Sequence, residues 1–381
     1  MPTGPGEVLE LIRRGDAVTR GDVADQTGLS RMTVAQRLDR LLAEGLVVEA
    51  GETVPTGGRR RRVLRFNEKH SRVLAAAVDT THTVVALTDL TGRVLAREAV
   101  EVRIGEGPSA VLDRIAETMG RVAAVEPDVP LCGAGIGLPG PVDPATGHPS
   151  QPPMMPGWDA YPVVEHLESA LPGVRVLTAN DADAAAMGEY AAGRAAVRSL
   201  CLVKCSTGIG TGIVIGGRSY RGVDGGAGDI GHVRLARHDS EPCQCGAVGC
   251  LAAVASGRAV ARRLSDLGHP AASGRDVGRL LREGNPDAAK LTQEAGRRIG
   301  EVMATVVCVL NPEVVVIGGS MASSPLLAGI RETLYQLSLP RATRHISLQL
   351  GRLGEDAAVV GLTRLVVDDA FSPQAVNARL G

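Results

Sequence analysis

The spacing of apolar residues divides the chain into two regimes, and over residues 1–66 the period is helical. In GEVLELIRR (6–14), Val8, Leu11 and Ile12 share one face at three-and-four spacing. TRGDVADQTG (19–28) opens with Thr19 and Asp22 three apart, the spacing at which a hydroxyl and a carboxylate satisfy the free amides of a helix start. Gly28-Leu29 makes a turn. Ser30 then caps a third helix, SRMTVAQRLDRLLAEG, closed by Gly45. On it Val34, Leu38 and Leu41 share a face, while Thr33, Gln36, Arg37 and Arg40 are predicted to point away. Two β-runs, 46–51 and 61–67, flank a Gly/Pro turn. Together these elements predict a winged helix-turn-helix. The plain alternative is a three-helix bundle whose polar face is merely solvated.

From residue 73 the pattern changes to α/β. VLAAAVD, TVVALTD and RVLAREAVEV (93–102) predict a three-strand meander. A helix over 108–124, a strand over 131–140, a Pro-rich loop (149–162), a helix near 163–170, a strand over 174–181 and an Ala-rich helix to about residue 192 follow. SLCLVKC, TGIVIGG and SYRGV repeat the meander, and EVVVIGGS (313–320) predicts another buried strand. A last helix over 356–370 is expected to return to the first lobe. Two related lobes around a cleft are implied.

Composition narrows this picture. The 381 residues are 44% hydrophobic and 22% charged with a formal net charge of −1, which excludes disorder and suits two or three domains. Aromatics make up only 2%, so the core is expected to be Ala, Val, Leu and Ile, as in buried parallel strands. No run of about 18 apolar residues occurs, and the start has no basic segment leading into an apolar one. No membrane partner is expected, and the expected address is cytoplasmic. The charge is unevenly spread: residues 1–66 carry net +2, with four arginines in a row in GGRRRR (57–62) leading into the second β-run.

The seven cysteines are an odd number, and three crowd into CQCGAVGC (243–250). Cys243, Cys245 and Cys250, with His232 of GDIGH shortly before them, make three thiolates and an imidazole. That set fills a tetrahedral Zn2+ shell and leaves no open position, which describes a structural zinc site. Gly246 and Gly249 permit the tight loop. The alternative is a cluster of buried free thiols. Cys132, Cys201, Cys205 and Cys308 lie in strand or helix runs and are expected to be small core residues.

LTANDADAAAMGEY (177–190), STGIGTGIVIGGRSYRGVDGGAGDIGH (206–232) and CQCGAVGCLAAVASG (243–257) closely resemble the ROK family, named for repressors, open reading frames and kinases. The resemblance spans roughly residues 72–370. It implies an α/β, two-lobed actin/hexokinase-like (ribonuclease H-like) fold over a sensor domain, 67–381, behind a DNA-binding domain, 1–66. The first lobe would comprise about 72–192 plus the helix 356–370, and the second about 193–355 with the zinc loop. Some members of the family are sugar kinases, and others are sugar-responsive regulators.

Carried over residue by residue, the resemblance implies a sugar site of Asn180, Asp181, Asp229 and His232. Asp181 matches the kinases' general base. His232 matches a residue that is both zinc ligand and sugar contact, and Asp229 stands where kinases have Glu. Pro139-Gly140-Pro141 and Pro156-Gly157-Trp158 resemble loops lining the sugar pocket. Asn180-Asp181 has a simpler reading too, as a helix cap after a strand.

The departures point away from catalysis. Kinases of the family carry Asp-x-Gly-Gly-Thr, whose glycines let amides approach ATP phosphates, where this chain has Asp79-Thr80-Thr81-His82. Ser206 and Thr211 replace glycines in the second phosphate loop, although Thr207, Gly208, Gly210 and Gly212 remain. Ala252 replaces a Glu after the zinc loop, while Gly318-Gly319 resembles a nucleotide-adjacent turn. The reading is therefore a sugar-responsive regulator, expected to repress carbohydrate uptake or catabolism genes, with no catalytic residue and Asp181 a vestigial base. Its partners would be a double-stranded DNA operator, an unphosphorylated sugar, and a second copy in a homodimer or dimer of dimers. Ser30, Arg31, Thr33, Gln36 and Arg37 would meet the major groove, and Arg59, Arg60, Arg61 and Arg62 the phosphates or the adjacent minor groove. The alternatives are an active glucokinase-like sugar kinase that also binds DNA, and a zinc-stabilised scaffold without a small ligand.

Overall fold

The computed structural model describes residues 4–52, 62–236 and 240–381. The first module has α1 (Pro5–Arg14), α2 (Arg20–Thr27), α3 (Arg31–Ala43) and a hairpin of β1 (Val47–Glu52) and β2 (Arg62–Phe66). Local chemistry places the helix ends where expected. Thr19 accepts from the Asp22 amide while the Asp22 carboxylate accepts from the Thr19 amide, and Ser30 accepts from the Thr33 amide.

The first lobe is a five-stranded sheet in the order β5-β4-β3-β6-β7, built from β3 (Arg72–Val78), β4 (His82–Thr88), β5 (Val94–Glu101), β6 (Leu131–Leu138) and β7 (Val176–Asn180). It carries α4 (Pro108–Ala123) and α5 (Val163–Ala170), and α6 (Asp181–Ala191) leaves the end of β7. The second sheet, β10-β9-β8-β11-β12, repeats this order with β8 (Ser199–Cys205), β9 (Ile209–Ile215), β10 (Arg218–Ser219), β11 (Val314–Gly318) and β12 (Ser347–Leu350). In both sheets the first strand pairs antiparallel with the second and parallel with the fourth. Helices α7 (Leu251–Ala255), α8 (Gly257–Asp266), α9 (Gly274–Arg282), α10 (Pro286–Leu310), α11 (Ser324–Leu337) and α12 (Pro340–Thr343) complete the second lobe. The predicted strand SYRGV shrinks to two residues, because Gly216 and Gly217 turn the chain at φ 57° and 78° and Gly222 turns it again at 75°.

As expected, α13 (Ala357–Ala370) returns to pack on β6 and β3 of the first lobe. It also crosses α6 with backbone against backbone. A Cβ on Gly361 would lie 1.7 Å from the Ala184 carbonyl oxygen, and one on Gly188 would lie 1.9 Å from that of Ala357. The sequence reading does not anticipate the final helix, α14 (Pro373–Leu380), which docks on α1. Asn377 accepts from the Gly6 amide at 2.7 Å and donates to Glu7 at 3.0 Å. Arg13 donates to Asp368 at 2.8 Å and to the Phe371 carbonyl at 3.2 Å. The apolar core of the first module (Val8, Leu9, Leu38, Leu64) therefore runs on into Val366, Phe371 and Val376.

This docking corrects part of the expected outward face of α3. Arg40 donates to the Leu380 carbonyl, and Arg37 is half-buried with its charge acting on Glu7. Both are drawn to polar groups that α1 and α14 present.

The glycine crossing generates a prediction. Gly361→Ala should lower unfolding free energy by about 3 kcal/mol, the upper part of the overpacking range, since the obstacle is a carbonyl rather than a pliable side chain. Gly120→Ala in α4, where nothing lies within 4 Å of the added carbon, should instead stabilise by up to about 1 kcal/mol. Urea unfolding of the two variants measures both.

Candidate ligand cleft, metal centre and nucleic-acid face

A cavity of about 110 Å³ opens between the lobes, and Asn180, Asp181, Asp229 and His232 all line it. Wider surface grooves of about 770 and 910 Å³ lie elsewhere and bring none of these four together. The end of β7 and the start of α6 place the first two. Asn180 caps α6, accepting from the amides of Ala182 and Asp183 at 2.9 and 3.1 Å, and donates to the Gly140 carbonyl at 2.9 Å. The cap and the cleft wall are thus one residue. Pro139, Gly140 and Pro141 line the cleft as expected, joined by Pro153 and Met154. Trp158 does not line it. Its ring is fully buried in the first lobe and donates to the Ile104 carbonyl at 3.0 Å, because an indole finds more apolar contact there than at a polar cleft.

Lys204 lines the cleft, and the sequence reading does not single it out. It is the one charged residue in the strand SLCLVKC, a signal that could have found it. Its Nζ donates to Asp181 and lies 3.7 Å from Asp79 Oδ2. Lys204 comes from the second lobe, whereas Asp79 directly follows β3 and Asp181 starts α6. Burial alone would raise both carboxyl pKa values. Asp79 is nevertheless held below its usual range, with Lys204 the main opposing influence, whereas Asp181 is raised by burial despite Lys204. Lys204 itself is raised: burial favours its neutral form, but the two carboxylates outweigh that.

The segment expected to differ from a phosphate cradle is a tight turn. Asp79 accepts from the amide and hydroxyl of its neighbour Thr80 at 2.6 and 3.1 Å, and the next two residues, Thr81 and His82, put side chains where the family's pattern has its two glycines. Across the cleft, the Ser206 hydroxyl accepts from the Ser320 amide at 3.2 Å, tying the β8–β9 turn to the one after β11.

His232, Cys243, Cys245 and Cys250 converge, each ligand atom within 4.8 Å of the others. His232 Nδ1 faces Cys243 Sγ at 3.6 Å, and its Nε2 faces Asp229 at 4.0 Å on the cleft side. Gly246 and Gly249, at φ 86° and 74°, close the loop. Burial raises the Cys245 thiol, yet the Ala247 backbone and neighbouring thiols outweigh it and bring it down to about 7. Cys250 is pushed up to about 12, by burial first and then by its neighbours. One thiol ready to ionise beside one that resists is the imbalance a bound dication relieves, and the set can hold a tetrahedral metal. Of the other cysteines, Cys201 and Cys205 are buried and Cys132 is half-buried. Cys308 is exposed, contrary to expectation, because it lies on the outer face of α10.

On α3, Ser30, Arg31 and Gln36 are exposed and Thr33 is half-exposed, while Arg37 turns toward Glu7 as described. Met32, 82% exposed between Arg31 and Thr33, is an apolar addition to this face. In the hairpin Arg62 pairs with Glu49, which also pairs with Arg20 at 3.2 Å. Arg59, Arg60 and Arg61 lie outside the described residues.

Comparison with known proteins places these features. The ROK family model matches residues 74–369, and a winged helix-turn-helix DNA-binding model matches residues 6–48. The chain is 28% identical to a putative xylose repressor of Caldicellulosiruptor sp. (strain Rt8B.4), covering 96% of this chain and 95% of that one. It is 30% identical to a glucokinase of Halalkalibacterium halodurans, covering 79% and 97%. A solved ROK family transcriptional regulator, described as a homologue of the E. coli MLC protein, superposes with a TM-score of 0.80 at 25% identity, covering 99% of this chain and 98% of that one. The glucokinase match leaves out about the length of the first module. With its two-lobed fold and a winged helix-turn-helix ahead of it, the chain belongs to the ROK family.

Proposed function

We propose that the chain is a sugar-responsive transcriptional repressor whose ROK domain senses an unphosphorylated sugar and does not phosphorylate it. One observation carries the reading: an exposed recognition helix and a cleft lined by Asn180, Asp181, Asp229 and His232 occur in one chain, joined through α13 and α14. Alignment with xylose repressors over nearly the whole length supports it, and makes a free aldopentose a natural first candidate for the ligand. Thr81 and His82 in place of two glycines, and the pairing of Asp181 with Lys204, argue against phosphoryl transfer, since a base already bonded to an ammonium is a poor proton acceptor. Sugar binding would favour one interlobe angle and so alter the placement of paired DNA-binding heads in a homodimer or dimer of dimers in the cytoplasm. Among the described residues no helix is long and apolar enough to cross a membrane.

A thermal-shift screen of free pentoses, hexoses and amino sugars tests the sensor, with D-xylose expected among the hits. The same sugars with ATP should give no product. Turnover near the usual enzyme median of about 10 per second would establish the kinase alternative.

In this reading zinc fills the His232–Cys243–Cys245–Cys250 set as a structural ion, leaving His232 Nε2 free for a sugar hydroxyl. Cys243→Ser should therefore abolish the sugar-induced shift while operator binding persists. Unchanged sugar affinity by calorimetry would make the loop a remote staple.

The DNA face generates a further prediction. Replacing Arg59, Arg60, Arg61 and Arg62 with Ala should weaken binding to all sequences. It should also flatten the dependence of log K on log salt, by about 0.9 for each phosphate that is no longer neutralised. Arg31→Ala should lower operator affinity selectively, at roughly 1–3 kcal/mol if it makes a bidentate base contact. Fluorescence anisotropy across a salt series distinguishes the two.

A further inference from the structure

We propose that Lys204 is a built-in cation that takes the place of an external metal–nucleotide charge in the cleft, so that sugar recognition needs neither. The inference rests on the sensor reading above and specifies how its site is charged.

Three observations carry it. The ammonium sits between the Asp79 and Asp181 carboxylates, bonded to one and 3.7 Å from the other, with its own side chain only 17% exposed. A second hollow of about 100 Å³ shares Asp79, Asp181, Lys204 and Ser206 with the ligand cleft and continues past Gly318, Gly319 and Ser320. Lys204 thus stands on the wall between the ligand cavity and the space beside the glycine turn. The lysine also joins opposite lobes, since β8 belongs to one and Asp79 and Asp181 to the other.

Two largely buried carboxylates that share one ammonium are costly to keep ionised together without a cation. Magnesium meets that need with one or two carboxylates and several waters. Here the ammonium does so from within the chain. Asp181 is thereby kept as a hydrogen-bond acceptor for a sugar hydroxyl. Lys204 acts through Asp181 and is a positioning residue.

The test uses zinc-loaded, full-length protein with D-xylose and D-glucose as probes. Wild-type affinity should be the same with and without magnesium at about millimolar concentration, the range of other weakly held oxygen-ligand sites. Lys204→Met removes the ammonium that lies between the two carboxylates. Its sugar affinity should fall at least about tenfold, equivalent to about 1.4 kcal/mol, and magnesium should restore most of it. Lys204→Met with Asp79→Asn returns the cluster to its original net charge, and should recover sugar binding without magnesium.

A packing role would give neither recovery. The proposal is overturned if Lys204→Met binds sugar as wild type does in metal-free buffer, or if it binds weakly and neither magnesium nor Asp79→Asn helps. Should Lys204→Met alone fail to fold, the double variant decides by the same criterion. If wild type binds none of the sugars, the sensor reading fails by itself. Magnesium-induced stabilisation of Lys204→Met, absent in wild type, still reads the lysine's role through melting temperature.

Discussion

The crossing of α6 and α13 at Gly188 and Gly361 is the constraint on which the rest of the molecule depends. Each helix leaves the last strand of one sheet and packs on the other lobe, so the two are the shared floor of both lobes. Their approach is so close that a methyl group on either glycine would overlap a carbonyl oxygen of the partner helix. Close-packed backbones of this kind have few alternative arrangements. A change in interlobe angle must therefore hinge about this contact, and the residues at the helix ends move with it. Asn180 and Asp181 stand at one end of α6, and Asp368 and Phe371 near one end of α13.

That geometry explains why the cleft tolerates buried charge. Asp181 opens α6, where free amides and the helix dipole favour a carboxylate, and Lys204 supplies the opposing charge from the other lobe. Asn180 commits its side chain to the cap and to Gly140, fixing the loop that forms the cleft wall. His232 divides its ring between thiols and cleft. Asp181, Asn180 and His232 are thus each held by a partner behind them, an arrangement that lowers the cost of ordering them on binding.

How much of this is legible in the sequence follows from how local each signal is. The two meanders, the Thr19–Asp22 box, the Ser30 cap and the cysteine cluster are written in spacings of a few residues, and the structure contains each of them. What is not legible depends on partners far along the chain. Lys204 reads as an interruption of an apolar strand until Asp181 is known to face it. Trp158 resembles a pocket residue because its loop precedes the cleft, yet the ring's burial is decided by Ile104. Arg37 and Arg40 sit on the polar side of α3 by period alone, and only the packing against α1 and α14 shows that part of that side is already occupied.

The same docking bears on how a sugar could be heard by a DNA-binding head. Phe371 is buried against Phe66, with ring centroids 5.3 Å apart in an edge contact, and Arg13 lies over the Phe66 ring while bonding to Asp368. The core of the first module is therefore completed by α13 and α14 rather than closed at its own end. A head tied only by a pliable linker would not register the angle between the lobes, since such a linker transmits little orientation. A head whose core includes the end of α13 must follow that helix or give up buried apolar surface and a half-buried ion pair. Orientation is thus carried by packing, along one continuous helix that begins where the two lobes cross.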